Sequence, residues 1–408
     1  MFLSLFAKEC KQVSRSLVYY IFLMILILFM VSQLGATEIV QRPEPNQEDY
    51  GTKTSSDENE IMSVTLAELV NAIEWNSFAT YPAGFYKQVI VSDDELKEMK
   101  SIVEECTGKT WDTIMQEQEK HYAGFDQETE ESSIAAQMTY RVDADTRLSY
   151  DEFKEKMEDV CQMIGKGSAF EKGKYSVGVS VPMTYEDAVE EYNALTEKDG
   201  ITGAYMRLFC DYAVIALSLL PIFMGVTRCV RDKRAKVQQV IYARQAKAST
   251  IILSRYLANV VMMFVPIVIL AFGLETPYLY QAQTLGVEPH YLAFLGYCVM
   301  WLLPTILFVL ALSFLLTELL NGIVTIIIQV FMGMAYLMTA TTLIGNFGWN
   351  LLPRWNNFGY TLQYFSERTA LYQNRLLYTG LAVVCIVFTI VLYEYKRQGG
   401  LHFYEKKH

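Results

Sequence analysis

Histidine is scarce in this sequence. Only four of 408 residues are His (His121, His290, His402 and His408), and none is spaced with Cys or carboxylates in the manner of metal ligands. The seven cysteines are scattered. Only Cys106 and Cys161 share one polar stretch, so at most one structural disulfide can form there, and two free thiols on helices fit equally well. No Asn-x-Ser/Thr sequon occurs, which mildly favours a bacterial source over a glycosylated surface protein. The one string resembling a phosphate loop, TGKT at 107–110, has Val103 where the pattern needs glycine. No basic groove with interleaved aromatics appears, which excludes nucleic acid as a partner. No nucleophile, base or metal ligand set assembles from the pattern, so the chain is not read as an enzyme and binds no cofactor of its own.

What the chain has in quantity is apolar length. Six segments, 17–36, 208–226, 250–272, 292–316, 323–344 and 376–394, are long and apolar enough to cross a bilayer, which takes about 20 residues. The predicted fold class is therefore a membrane α-helical protein with six transmembrane helices. A large extracytoplasmic domain, mixed α/β but mostly helical, lies between the first two at 37–205. The first apolar run is at the upper limit for a signal-peptide core, and Ala36 makes a poor cleavage site, so a retained anchor is expected.

Charge divides along the same lines. The 37–205 block holds 36 acidic and 15 basic residues, a net of −21, and the remainder holds 9 acidic and 19 basic, a net of +10. Lys and Arg near span ends favour the cytoplasmic side. Fourteen fall on one side if the N-terminus is inside, against three on the other. Both termini are thus expected in the cytoplasm of a plasma-membrane protein, with residues 1–16 as an amphipathic segment, 227–249 as a cytoplasmic loop and 395–408 as a cytoplasmic tail. Phe2, Leu3, Leu5 and Phe6 before Lys8 and Lys11 read as an interfacial helix on the inner leaflet.

In the polar block, VSDDELKEMKSIVEECTG and LSYDEFKEKMEDVCQMIG each offer Ser as N-cap (Ser92, Ser149), Glu three residues on (Glu95, Glu152) and Gly after the last turn (Gly108, Gly165). Both predict capped helices. A third helix is expected between Thr184 and Gly200. KYSVGVSVPM alternates like a strand with Val177, Val179 and Val181 on one face, and 37–60 reads as a flexible tether.

Within the spans, Pro221, Pro266 and Pro304 predict helix kinks, though such prolines also serve ordinary membrane-helix packing. Arg207 and Asp211 stand four apart on one helix face and are expected to form a structural ion pair. Gln329 either bonds a neighbouring helix or lines a route. Glu318 is expected in a wet turn. With so few charges inside the spans, an ion-coupled carrier is disfavoured. The aromatic segment 345–375 reads as an interfacial belt.

The loop after the second span, RDKRAKVQQVIYARQAKASTIILSRYLA, carries seven Lys or Arg and one acid. Val237, Val240 and Ile241 fall at i, i+3 and i+4 and predict an apolar stripe on a charged helix. This loop resembles that of permease subunits of ABC type-2 transporters. The matching positions are Asp232 in the turn, 241–244 (IYAR) and 254–258 (SRYLA), with Arg255 in place of the usual Lys. Residues 245–247 depart from the Pro-containing turn of many relatives. The resemblance extends to the six-span plan, the large insert after the first span, the amphipathic N-terminus and the aromatic stretch before the last span.

It implies a permease without ATPase activity, paired with a second permease chain, identical or paralogous, and energised by a separate ATP-binding subunit that uses ATP and Mg. The coupling residues implied are Arg231, Asp232, Arg234, Val237, Val240, Ile241, Tyr242, Arg244 and Arg255. The expected activity is export of a lipid, peptide or drug-like substrate. The alternative is a membrane-anchored sensor or accessory protein with a ligand-binding outer domain.

Overall fold

The computed structural model describes residues 1–47, 49–82, 86–125, 139–176, 178–243, 245–338, 343–345 and 347–398. The chain forms two compact units, residues 42–190 and residues 1–41 with 191–408.

The 42–190 unit is mostly helical. Helix α3 (Glu58–Glu74) is capped by Asp57, whose carboxylate accepts from the Asn59 and Glu60 N–H groups at 2.9 and 3.1 Å. α4 (Asp93–Thr107), α5 (Trp111–Tyr122), α6 (Tyr150–Ile164) and the short α7 (Lys172–Tyr175) follow. The Ser92/Glu95 and Ser149/Glu152 capping boxes form as predicted, since each needs only partners three residues apart. Strands β1 (Thr52–Ser55) and β4 (Val179–Pro182) pair antiparallel, as do β2 (Phe78–Thr80) and β3 (Lys87–Val89). Leu66, Leu69, Val70, Met99, Val103, Phe153, Met157 and Val160 form the core.

Two expectations change here. The 37–60 tether already contains β1 and the start of α3, because 61–73 supplies enough apolar residues to bury that helix. The expected strand at 174–183 begins as helix α7 and is extended only from Val179, with Val177 outside the described residues. Val179 and Val181 do point inward. Cys106 and Cys161 are both free thiols.

The other unit contains α1 (Phe2–Val13), α2 (Leu17–Leu34), the end of α8 (Tyr185–Glu197), α9 (Thr202–Arg234), the five-residue α10 (Gln238–Tyr242) and α11 (Ala248–Thr284). Next come α12 (Ala293–Tyr297), which runs through a π-turn (Cys298–Leu302) into α13 (Leu303–Leu319), then α14 (Gly322–Met338) and α15 (Thr361–Arg397). Among the described residues, five helical stretches are long and apolar enough to cross a membrane: Leu17–Leu34, Thr202–Arg234, Ala248–Thr284, Ala293–Leu319 and Thr361–Arg397. α14 is a shorter apolar helix; at about 1.5 Å per residue it reaches the lower end of spanning length. α9, α11 and α15 extend well past the 208–226, 250–272 and 376–394 stretches read from the sequence. The aromatic segment 345–375 consequently supplies the first four turns of α15 rather than a belt alone.

α9 is the hub, packing on α2, α11, α13 and α14, while α13 packs on α15 and α1 on α11. Glycine permits the closest approaches. A Cβ on Gly225 would lie 2.6 Å from Ser313 Cβ, one on Gly322 2.8 Å from Val226 Cγ1, and one on Gly333 2.8 Å from Leu219 Cδ2. Small residues at helix crossings are the usual solution where surrounding lipid offers no hydrophobic drive to associate. Gln329 bonds a neighbouring helix: its Oε1 accepts from Ser313 Oγ at 2.7 Å and its Nε2 donates to Val309 O at 3.1 Å. Ile25, Leu28, Ile269, Phe272, Ile327, Phe331, Val383, Val387 and Val391 are exposed. An apolar surface on this scale calls for a nonaqueous neighbour.

Candidate functional site at the α1 end of the bundle

α2, α11 and α14 run away from α1 while α9, α13 and α15 return, so residues near 9, 230, 250, 320 and 396 share one end. There Glu9 on α1, Arg228 and Asp232 on α9 and Arg255 on α11 form one charged cluster. Arg228 donates from Nε and Nη2 to the two Glu9 oxygens, both at 2.6 Å, and from Nη1 to Asp232 Oδ1 at 3.3 Å. Arg255 donates from Nη2 to Asp232 Oδ2 at 2.5 Å and places Nε 3.7 Å from Glu9 Oε1. Two guanidiniums and two carboxylates thus alternate around a neutral ring, with Arg228 6%, Arg255 8% and Glu9 9% exposed. Buried charge is tolerated only when paired in this way. The ring ties three helices together where the loop begins.

Beyond it, α9 ends at Arg234, and Lys236 takes a left-handed φ of 54° to reverse the chain into α10. Arg397, at the end of α15, donates from Nε to Tyr242 O at 2.9 Å and from Nη1 to Ala246 O at 2.8 Å. It thereby satisfies the Tyr242 carbonyl, which the end of α10 leaves open, and the Ala246 carbonyl just before α11. The Tyr242 ring packs edge-on against Tyr393 at 5.3 Å. Lys396 pairs with Glu318 at 3.2 Å. Glu318 is buried rather than wet, because the end of α15 supplies its counter-charge and covers it.

The predicted loop residues divide into two groups. Arg231, Arg234, Val237 and Val240 face outward, with Val240 60% exposed. Asp232, Ile241, Tyr242 and Arg255 turn inward and are held by the bundle. The expected Val237/Val240/Ile241 stripe is therefore split. Adjacent helical residues are about 100° apart, and α10 lies against the bundle with Ile241 while Val240 stays free. Arg244 lies outside the described residues. Sequence reasoning missed Glu9, Arg228 and Arg397. Glu9 had a signal, being the sole acid before Glu38 in a basic segment.

The opposite end corrects the expected Arg207–Asp211 pair. Arg207 instead pairs with Asp199 and donates to Thr361 Oγ1 at 3.2 Å, while Asp211 takes Arg354 Nε and Nη2 at 2.8 and 3.1 Å and the Trp355 N–H. Each charge has a nearer partner of opposite sign, Asp199 from the turn just before α9 for Arg207 and Arg354 from 143 positions away for Asp211, and the bidentate fork on Asp211 exceeds what an i,i+4 contact offers. Glu191 accepts from the Thr361 and Leu362 N–H groups and so caps α15; burial pushes its carboxyl pKa up. Arg375 is held by carbonyls of Trp301, Asn350 and Leu351 and by Thr305 Oγ1. Buried charges are more numerous than the sequence suggested, because the long helices carry their ends past the apolar runs.

Pro221 and Pro266 lie inside continuous helices. Only Pro304 coincides with altered helical geometry, following the π-turn at 298–302. The residues of TGKT are helix punctuation: Gly108 ends α4 at φ 68° and Thr110 caps α5.

Among the described residues no group of three or more His, Cys, Asp or Glu could hold a metal ion. A family model described as "ABC-2 family transporter protein" matches residues 21–366. No curated protein and no solved structure matches the chain.

Proposed function

Because this chain belongs to the ABC-2 transporter family of membrane proteins, we propose that it is the permease subunit of an ATP-driven exporter of a lipid, peptide or drug-like substrate. A separate ATP-binding subunit docks on the 227–249 loop, and a second permease chain completes the membrane part. In this reading the chain spans the plasma membrane six times with both termini in the cytoplasm, places the 42–190 unit outside, and leaves ATP and Mg to the partner.

The observation that carries the reading is the Glu9–Arg228–Asp232–Arg255 ring. It joins the base of an exposed, basic, Val-bearing turn to three helices at once, so a force on the turn reaches α1, α9 and α11 through charge pairs rather than through a slack loop. Arg397 adds α15. The exposed Val237 and Val240 beside Arg231 and Arg234 suit a partner groove with an apolar floor and an acidic rim.

The test is co-purification from cells expressing both subunits. Val240→Asp with Arg234→Glu should release the ATP-binding subunit while the permease stays in the membrane fraction. Retention at the native ratio would remove the docking role. The alternative, a membrane-anchored sensor, would draw on the cleft of about 590 Å³ in the 42–190 unit lined by Trp75, Phe78, Tyr140 and Phe170. It leaves the charged ring and its loop without a task.

A further inference from the structure

At the end of the bundle opposite α1, a cleft of about 790 Å³ opens between the Lys198–Asp199 turn, the 290–300 segment and the first turns of α15. We propose that this cleft binds an anionic membrane phospholipid, its headgroup at Lys198 and Arg368 and its upper acyl chain along Tyr297, Met300 and Tyr372. The inference rests on the membrane setting of these helices and not on coupling to ATP.

Charge decides the headgroup. Lys198 Nζ lies 5.9 Å and the Arg368 guanidinium carbon 4.9 Å from the centroid of the Phe365 ring. Both residues are exposed, and neither has an ion-pair partner among the described residues. Two cations approach one aromatic ring, and neither is paired with a carboxylate among the described residues. The single acid in the lining, Asp199, is buried and its charge is matched by Arg207: its Oδ2 pairs with that guanidinium and accepts from Thr361 Oγ1 at 2.9 Å, while its Oδ1 is buried without a hydrogen-bond partner. His290 is the one other imidazole or acid in the lining, and the remaining lining residues with ionisable groups are the phenols of Tyr291, Tyr297, Tyr364 and Tyr372. The mouth therefore carries two uncompensated positive charges, which suits a phosphate diester and disfavours a headgroup that brings its own cation.

Apolar surface decides the tail. In the lining itself Leu292 is 68% and Tyr372 47% exposed, and Met300 is half-buried beside them. A soluble anion would gain nothing from that surface, whereas an acyl chain would cover it. Tyrosines at such a boundary place an apolar ring toward the chain and a hydroxyl toward the headgroup.

The test uses the full chain in a neutral detergent, with anisotropy of a tail-labelled phosphatidylglycerol compared with phosphatidylcholine carrying the same tail. At an anionic surface each basic residue contributes enough that two together correspond to about thirtyfold in affinity. Phosphatidylglycerol should bind about thirtyfold more tightly, and Lys198→Gln with Arg368→Gln should erase the preference while phosphatidylcholine binding persists. Arg368→Lys, which keeps the charge, should retain most of it. Equal affinities in the native protein, or an undiminished preference in the double variant, would overturn the proposal. So would displacement of the lipid by millimolar glycerol phosphate, which would make this a site for a soluble anion.

Discussion

Replacing Glu9 with Gln keeps the side chain's shape and removes its charge from the ring at the α1 end. Arg228 would lose the carboxylate that now takes two of its donors at 2.6 Å and would keep only Asp232 at 3.3 Å. Breaking a buried pair from one side costs about 3–5 kcal/mol when the remaining charge has nothing else. Here Asp232 stays and the Gln amide oxygen still accepts one hydrogen bond, so the loss is nearer that of one charged hydrogen bond, about 2 kcal/mol. What remains to hold α1 is apolar packing on α11, including buried Val13. A 2 kcal/mol weakening raises the undocked population of α1 about thirtyfold.

Cys10, next to Glu9, reports this directly. Its thiol is half-buried, and burial first and the adjacent Glu9 charge second raise its pKa; undocking exposes it, and the rates are compared at a pH where the thiol is fully ionised, which removes the direct effect of the Glu9 charge. In a protein whose other six cysteines are replaced, maleimide labelling of Cys10 should accelerate in Glu9→Gln, by up to about thirtyfold where the docked thiol is unreactive. Lys8→Gln, an exposed neighbour, should leave the rate unchanged. A wild-type rate in Glu9→Gln would refute the idea that the ring holds α1 in place.

A double-mutant cycle on the corrected ion pairs should give coupling of 1 kcal/mol or more between Asp211 and Arg354 and close to none between Arg207 and Asp211; thermal unfolding in detergent measures both. Gly225→Val would press a branched side chain on Ser313 Cβ, 2.6 Å from the position of its first carbon, and on Leu310, costing about 1–3 kcal/mol by overpacking. Gly273→Val, with nothing within 4 Å, should cost less than 1 kcal/mol, read from the same melts. In the 42–190 unit, burial raises the Cys106 thiol from 9.0 to about 11. A folded-state pKa above the unfolded value means the contribution is complete below pH 9 and is lost as pH climbs toward 11, about 3 kcal/mol over that window. Cys106→Ala should be less stable overall but lose less stability across that pH range. Equal slopes would mean that other groups dominate.

Much of this architecture was legible because its causes are local. The two capping boxes need only Ser and Glu three residues apart, and both formed. Apolar runs announced the long helices but not their full lengths, since α9, α11 and α15 continue through polar turns that only tertiary partners support. α3 was missed because its acidic first turn resembles a tether. The charged ring was the least legible part: Glu9 and Arg228 are 219 positions apart, and no periodicity links them. The same distance effect misled the Arg207–Asp211 pairing, where spacing suggested a partner that folding replaced. Val240 and Ile241 show the remaining limit, for a helical stripe does not reveal which of its residues the bundle claims.

The central claim, that the turn after α9 receives an ATP-binding subunit, is tested most directly by a photo-crosslinking residue at position 240 in intact cells. The account predicts a crosslink to the ATP-binding subunit that is formed from the cytoplasmic side and weakened by Arg234→Glu. Modification of a cysteine at the same position by a membrane-impermeant reagent added outside the cells would contradict it.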